Sequence, residues 1–371
     1  MNLAAVKERL GRMDWLLNVA AGILIVLGIL FIYSASFQSD ELPVTGFYRR
    51  QIVWAVIGIG LYLGMTLWDY RRVAELAGWI YALAMVLLVL VKFVGHEVYG
   101  ANRWLFVFGI QIQPSEFAKL ALIIAVARYW GRPGSLQRDG RGTIITLLMA
   151  GLPFALIALQ PDLGTAAVLA PIVLCMLFVA GVPLRRLAIL GLIGTLLLPV
   201  GWLNLNAYQR DRIMVFVDPG RDPLGAGWNK MQSQIAVGSG GLTGKGYLEG
   251  TQNILGFLPR TVAPTDFIYS VIAEEAGFAG SVLVLSMFGI VMVSGVRASL
   301  AAKDVFGRLL AVGVTAMLFT HIFVNIAMTI GLMPITGLPL PLMSYGGSFM
   351  LSCMIGLGLL QSIYTRRYQR L

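Results

Sequence analysis

Apolar residues fall in long unbroken runs along this chain, many near 20 residues, and rarely in short alternating ones. A run of that length spans hydrocarbon as a helix. Backbone polar groups in lipid must satisfy one another, which leaves helices or a closed barrel. Barrel strands would alternate apolar and polar positions, and these runs do not. The pattern predicts ten helical spans, at 14–37, 51–68, 74–94, 115–130, 143–160, 164–181, 187–204, 266–296, 305–331 and 344–364. The expected fold class is therefore all-α: a polytopic membrane protein with ten transmembrane helices. An even count puts both termini on one side.

A single long polar segment breaks the pattern. It runs from Asn204 to Asp266, so residues 205–265 form a loop between the seventh and eighth spans. The rest of the chain is expected to hold this loop at one face of the bilayer. No shift in composition marks a second domain, and 1–371 is read as one membrane domain.

Composition narrows the class. Of 371 residues, 58% are hydrophobic and 12% charged, too apolar for a soluble protein of this size. The first apolar run is longer than the core of a cleavable signal and is expected to be retained. The net charge of +10 would suggest nucleic acid on a soluble domain. Here the basic residues sit between spans, and no nucleic-acid motif is present. Lys7, Arg9, Arg12, Arg71, Arg72, Arg128, Arg132, Arg138, Arg141, Arg185, Arg186, Arg297, Lys303, Arg308, Arg366, Arg367 and Arg370 fall on one side. The short loops of the other side hold mainly Arg49, Arg50 and Arg103. The positive-inside rule then makes the termini cytoplasmic and the long loop extracytoplasmic. Cys175 and Cys353 lie inside apolar runs and read as packing residues, not as a disulfide or metal site.

Charges in or beside spans are the candidates for chemistry. Glu116 and Lys119 stand three apart in QPSEFAK and share a helix face. They either fix helix orientation as a buried pair or face a wet cavity. Asp162, in the short turn QPDLGT, either caps the next helix or joins a site. Arg103, in GANRWL, falls on the same outer side, so Arg103, Glu116, Lys119, Asp162 and Asp266 are expected to gather there. Asp266 follows Pro264 and Thr265, with Thr265 a candidate N-cap and Asp266 in a first helical turn. It is either an ordinary helix-start aspartate or a base. Glu274 and Glu275 lie inside a predicted span and need partners, arginine or backbone amides of the long loop.

Within the loop, GSGGLTGKG (238–246) invites comparison with a P-loop, but Ser239 and Gly246 stand where that motif needs Gly and Ser or Thr. What remains is a glycine-rich turn able to approach an anion, with Lys245 as charge, or a merely flexible one. MQSQIAVGSG, from Met231, predicts a short helix on the membrane surface, with Trp228, Tyr247 and Phe257 at the interface. Pro334, Gly337, Pro339, Pro341 and Gly346 predict a rigid non-helical wall before the last span. His321 reads as a packing histidine.

Taken together, GANRW, QPSEFAK, QPDLGT, DPLGAGWNKMQSQIAVGSGGLTGKGYLEGTQ, TDFIYSVIAEEAGF and NIAMTIGLMPITGLPLPLMSYGGS resemble the SEDS family (shape, elongation, division and sporulation), most closely its RodA branch. The pieces fall in order over nearly the whole chain. Departures are local: Arg260 and Pro264 in PRTVAPTDF, and Phe349 after SYGGS. The resemblance implies a peptidoglycan glycosyltransferase that polymerises lipid II at the outer face of the cytoplasmic (inner) membrane. It implies a class B penicillin-binding protein as partner, alongside membrane lipid. Asp266 matches the family's essential aspartate, and Glu116, Lys119, Asp162 and Ser344 match polar cavity residues. Asp266 would take the proton of the acceptor hydroxyl. Arg103, Lys119, Arg210, Arg212 and Lys245 are the cations available to the leaving pyrophosphate. No metal cage is visible, and a divalent ion, Mg or Mn, is left open. The alternatives are a lipid II flippase and a non-catalytic scaffold for the penicillin-binding protein.

Overall fold

A computed structural model describes residues 9–36, 46–98, 101–107, 110–132, 140–203, 205–259 and 261–368. Lys7, Arg138, Arg260 and Arg370 lie outside the described residues. Each predicted span is a helix: α1 (Trp15–Ser36), α2 (Phe47–Leu67), α3 (Tyr70–Val94), α4 (Pro114–Trp130), α5 (Arg141–Ala158), α6 (Leu163–Val179), α7 (Leu184–Leu203), and, after the long loop, α11 (Ile268–Ala301), α12 (Val305–Thr329) and α13 (Gly347–Thr365). Eight of these are long and apolar enough to cross a membrane, which makes the chain a multi-pass membrane protein. The other two, α4 and α6, have 17 residues each. At about 1.5 Å per residue such a helix is roughly 25 Å long, short of a hydrocarbon core near 30 Å.

The helices enclose one another in a graded way. α12 and α13 are the most enclosed of the long helices, and none of the residues of α7 is buried. α13 packs along α2, α12 packs along α4, α6 and α11, and α3 packs along α4. Between α3 and α4 the hydropathy pattern conceals three short antiparallel strands, β1 (His96–Val98), β2 (Ala101–Val107) and β3 (Ile110–Ile112), in the order β1-β2-β3. β2 carries Arg103 to within 3.5 Å of Asp162.

The long loop is itself largely helical: α8 (Ala207–Val217), α9 (Ala226–Ser239) and α10 (Thr251–Ile254). The helix predicted from Met231 exists as α9 but does not simply lie on the surface. It buries Ser233, whose hydroxyl contacts Ser270 at 2.7 Å and donates to the Thr329 carbonyl at 2.8 Å. Met231 and Ile235 point outward. Of the interfacial aromatics, Trp228 donates its indole N–H to the Phe257 carbonyl and the Tyr247 hydroxyl to that of Leu30.

α11 is two helices joined at Gly277, which sits at φ 63°, ψ −159°. The break frees carbonyls, and the glycine-rich turn takes them up. Lys245 N–H donates to Glu274 O at 3.0 Å and Gly246 N–H to Glu275 O at 3.1 Å. In return, Phe278 and Ala279 N–H donate to Gly241 and Leu242 carbonyls. Unpaired backbone groups at membrane depth cost several kcal/mol each, so this exchange is what permits the break. It also accounts for the glycines of the motif. A β-carbon on Gly244 would lie 2.0 Å from Glu275 O, and one on Gly240 1.9 Å from Ala273 O. The glycines let one backbone approach another, and the Lys245 and Gly246 amides are spent on the helix carbonyls. Gly244, at φ 83°, should therefore tolerate no side chain. Gly244→Ala is expected to destabilise the detergent-solubilised protein by at least about 1–3 kcal/mol, seen as a lowered Tm. Gly238→Ala, six residues earlier at a helical position with open space, should leave Tm unchanged or slightly raised.

Candidate active site

Asp266 lies in the turn that precedes α11, not in its first helical turn. The helix starts at Ile268 with Phe267 at its N-cap, and the Thr265 hydroxyl donates back to the Val262 carbonyl. The expected N-cap of Thr265 is thus replaced by a tighter local turn. Two struts hold the segment. Asn325 of α12 donates to Asp266 O at 2.9 Å and to Leu338 O at 2.7 Å. Tyr345 N–H donates to Pro264 O at 2.8 Å.

The breaker-rich segment does form a fixed wall. Gly337, at φ 74°, faces the carboxylate: a β-carbon there would lie 3.4 Å from Asp266 Oδ2 and 3.8 Å from Arg212 Nη1. Arg212 reaches in from α8 and donates to the Ile335 carbonyl at 3.3 Å. From the other side, Gly164 packs on Thr336, which seats the turn carrying Asp162 against the same wall. Asp162 caps α6 and also turns a carboxylate oxygen towards Arg103. Its Oδ1 accepts from Thr165 N–H at 3.1 Å, and its Oδ2 lies 3.5 Å from Arg103 Nη1 and 3.4 Å from Gln113 Nε2. Burial pushes the Asp266 carboxyl up to about 6, against the pull of Arg212 and Arg103, while Asp162 adds to the rise.

The structure thus brings Asp266, Arg212, Arg103 and Asp162 together. It places the other candidates elsewhere. Lys119 is fully buried in α4, 2.8 Å from Glu116 Oε2 and 2.6 Å from His321 Nε2. Its charge is neutralised inside the bundle. Lys245 lies 2.7 Å from Glu274 Oε1, so Glu274 has the partner it needed, in a lysine and in the Gln252 amide and not in arginine. Glu275 accepts from Leu248 N–H and from the Ser34 hydroxyl of α1. Arg210 stands two residues from Arg212 on α8, so the two point to different faces; Arg210 donates to the Leu203 carbonyl at 2.8 Å. Ser344 is a strut: its hydroxyl donates to Thr265 O and accepts from Leu340 N–H at 2.8 Å. Among the described residues no three His, Cys, Asp or Glu side chains cluster as a metal site. Gln113 and Asn325 were not singled out from the sequence, because neither is charged; Gly337 was, as a breaker of the wall, but its place against Asp266 depends on the wall's path.

The chain is similar throughout its length to known proteins. Residues 14–369 match the family described as cell cycle protein, FtsW/RodA/SpoVE. It is 40% identical over 348 residues to the peptidoglycan glycosyltransferase MrdB of Escherichia coli K12, covering 93% of this chain and 91% of that one. It is 37% identical to the peptidoglycan glycosyltransferase RodA of Treponema pallidum, over 95% and 98% of the two chains. Among solved structures, one from a peptidoglycan synthase complex coordinating polymerisation and crosslinking superposes with TM-score 0.81 at 32% identity, covering 96% of this chain and 99% of that one. The crystal structure of Thermus thermophilus RodA does so with TM-score 0.71 at 31% identity, over 96% and 98%. By sequence and fold alike, the chain belongs to the FtsW/RodA/SpoVE family of cell cycle proteins.

Proposed function

We propose that Asp266 is the general base of a peptidoglycan glycosyltransferase that polymerises lipid II. The chain is a peptidoglycan glycosyltransferase; the substrate, the base and the cations are our reading of the site. One observation carries it: a carboxylate outside the membrane spans, partly buried, and flanked by Arg212 and Arg103. The acceptor sugar's hydroxyl gives its proton to the Asp266 carboxylate as its oxygen attacks the anomeric carbon of the donor. The bond from that carbon to the phosphate oxygen breaks, and undecaprenyl pyrophosphate leaves with the electron pair. Arg212 and Arg103 meet the charge on the departing group. A divalent ion bound with the pyrophosphate would share that charge. Arg103 lies on β2, Asp162 at the N-cap of α6, Arg212 on the loop helix α8 and Asp266 in the turn before α11; none lies along one of the apolar spans, which favours chemistry at one face over transport through the bilayer.

On this reading the site faces outward from the cytoplasmic membrane with both termini inside, and a class B penicillin-binding protein crosslinks the product. The test is purified protein, alone and with such a partner, given lipid II. Glycan polymer on a gel supports the reading; translocation without polymer, or neither activity with retained partner binding, overturns it. The base must be ionised to act, and a carboxyl pushed up to about 6 loses its proton only above that pH. The polymerisation kcat/KM should be flat above pH 7 and fall about tenfold per unit below 6. An unperturbed aspartate would keep full activity down to about pH 5.

A further inference from the structure

We infer that His321, read from the sequence as a packing residue, is a positioning residue that fixes the wall of the Asp266 site and ties it to the buried Glu116–Lys119 pair. The inference rests on the polymerase reading for its kinetic test. His321 is fully buried in α12, and both of its ring nitrogens are engaged. Nε2 lies 2.6 Å from Lys119 Nζ, and Nδ1 lies 3.2 Å from the Pro339 carbonyl. An ammonium group only donates, and a carbonyl only accepts. The imidazole must therefore accept at Nε2 and carry its single proton on Nδ1. Its two partners choose the tautomer.

The residue four positions on, Asn325, completes the arrangement. His321 and Asn325 stand one turn apart on the same face of α12. They hold consecutive carbonyls of the wall: Pro339 O by His321 and Leu338 O by Asn325. Gly337, the residue against the Asp266 carboxylate and Arg212, is the next one back. Asn325 also binds the Asp266 carbonyl, so the wall and the base are referenced to one helix. Pro339 has no N–H, and the imidazole is the side chain that takes its carbonyl. On the far side, Lys119 is locked to Glu116 at 2.8 Å and sits 5.4 Å from the Phe349 ring, which itself lies 4.6 Å from the imidazole. Phe349 thus packs against both the imidazole and the ammonium. The buried ion pair, useless to an outer substrate directly, thereby orients the donor that sets the wall.

The test uses the full-length protein with lipid II. His321→Leu removes both polar functions at similar bulk. It should lower kcat about 10–100-fold while KM stays within about twofold, because the wall is displaced and substrate contacts are not removed. His321→Gln presents an amide oxygen to Lys119 and an amide N–H to Pro339, and should restore kcat to within about threefold of the parent. A His321→Leu protein as active as the parent, or a His321→Gln no better than it, overturns the inference. Should His321→Leu fail to fold, nitrogen-15 NMR of the unsubstituted protein decides, with His96 the only other histidine to assign. A proton on Nδ1 alone is expected; a proton on Nε2 overturns it. Parent protein that makes no polymer sinks the polymerase reading and leaves the tautomer result standing.

Discussion

Asp266→Asn is expected to abolish polymerisation while making the protein more stable at neutral pH. Asparagine keeps the shape of the side chain but takes no proton from the acceptor hydroxyl. Loss of a general base of this kind costs about 10²–10⁴-fold in rate, enough to remove visible polymer. Stability should move the other way. Burial raises the Asp266 carboxyl from 3.8 to about 6, so the folded state binds its proton more tightly than the unfolded chain. A raised carboxyl contributes stability at low pH, and that contribution is lost as pH rises through the interval to about 6. At pH 7 the native protein holds a charge where burial disfavours it; the amide does not. The Tm of Asp266→Asn should exceed the parent's at pH 7, and the gap should close as pH falls from about 6 towards about 4. Thermal unfolding in detergent across that range measures it. Undiminished polymerisation by the folded variant would end the base assignment. A variant dead because it unfolds would show a lowered Tm.

The fold was legible because lipid makes the hydrophobic pattern unambiguous. All ten runs became helices, with ends near those expected, since a run of apolar residues in hydrocarbon has no other way to satisfy its backbone. What the pattern concealed is where that rule is suspended. The strands around Arg103 and the break at Gly277 both sit where backbone is satisfied by other backbone, and hydropathy does not record such pairing. The glycines of GSGGLTGKG were visible as a motif, but their partners, the carbonyls of Ala273, Glu274 and Glu275, lie some 30 residues further on.

The site was legible in its charges and illegible in its geometry. Asp266 and Asp162 stood out as charges at span ends, Arg103 and Arg212 as cations in the outer loops, and the four meet. Arg210 and Lys245 stood out equally, and they do not join them: one turns away on its helix, the other is held by Glu274. Residue type names a candidate; only the path of the wall from Pro334 to Pro341 decides which candidates converge. That path is written in Asn325 and His321, two side chains on a neighbouring helix that no local signal connects with it.

Lys119→Met should be among the most damaging single substitutions in the bundle. Lys119 is 0% and Glu116 2% exposed. Removing one partner of a buried ion pair leaves the other desolvated and uncompensated, at a cost of about 3–5 kcal/mol. It also strips His321 Nε2 of its donor, so activity should fall with stability. The double variant Glu116→Gln with Lys119→Met removes both charges, and by the same reasoning should regain most of the lost Tm. This pair of proteins separates the two roles open to the pair. If Lys119 acts only from the interior, ordering the bundle and orienting His321, the double variant, folded and with Asp266 intact, should polymerise lipid II within about tenfold of the parent, less than the 10²–10⁴-fold expected for loss of the base. If the ammonium instead meets the pyrophosphate, restoring the fold would restore no activity. Its complete burial, with Glu116 and His321 both at hydrogen-bond distance, leaves no donor for a phosphate oxygen to approach from outside, and the first outcome is the one expected.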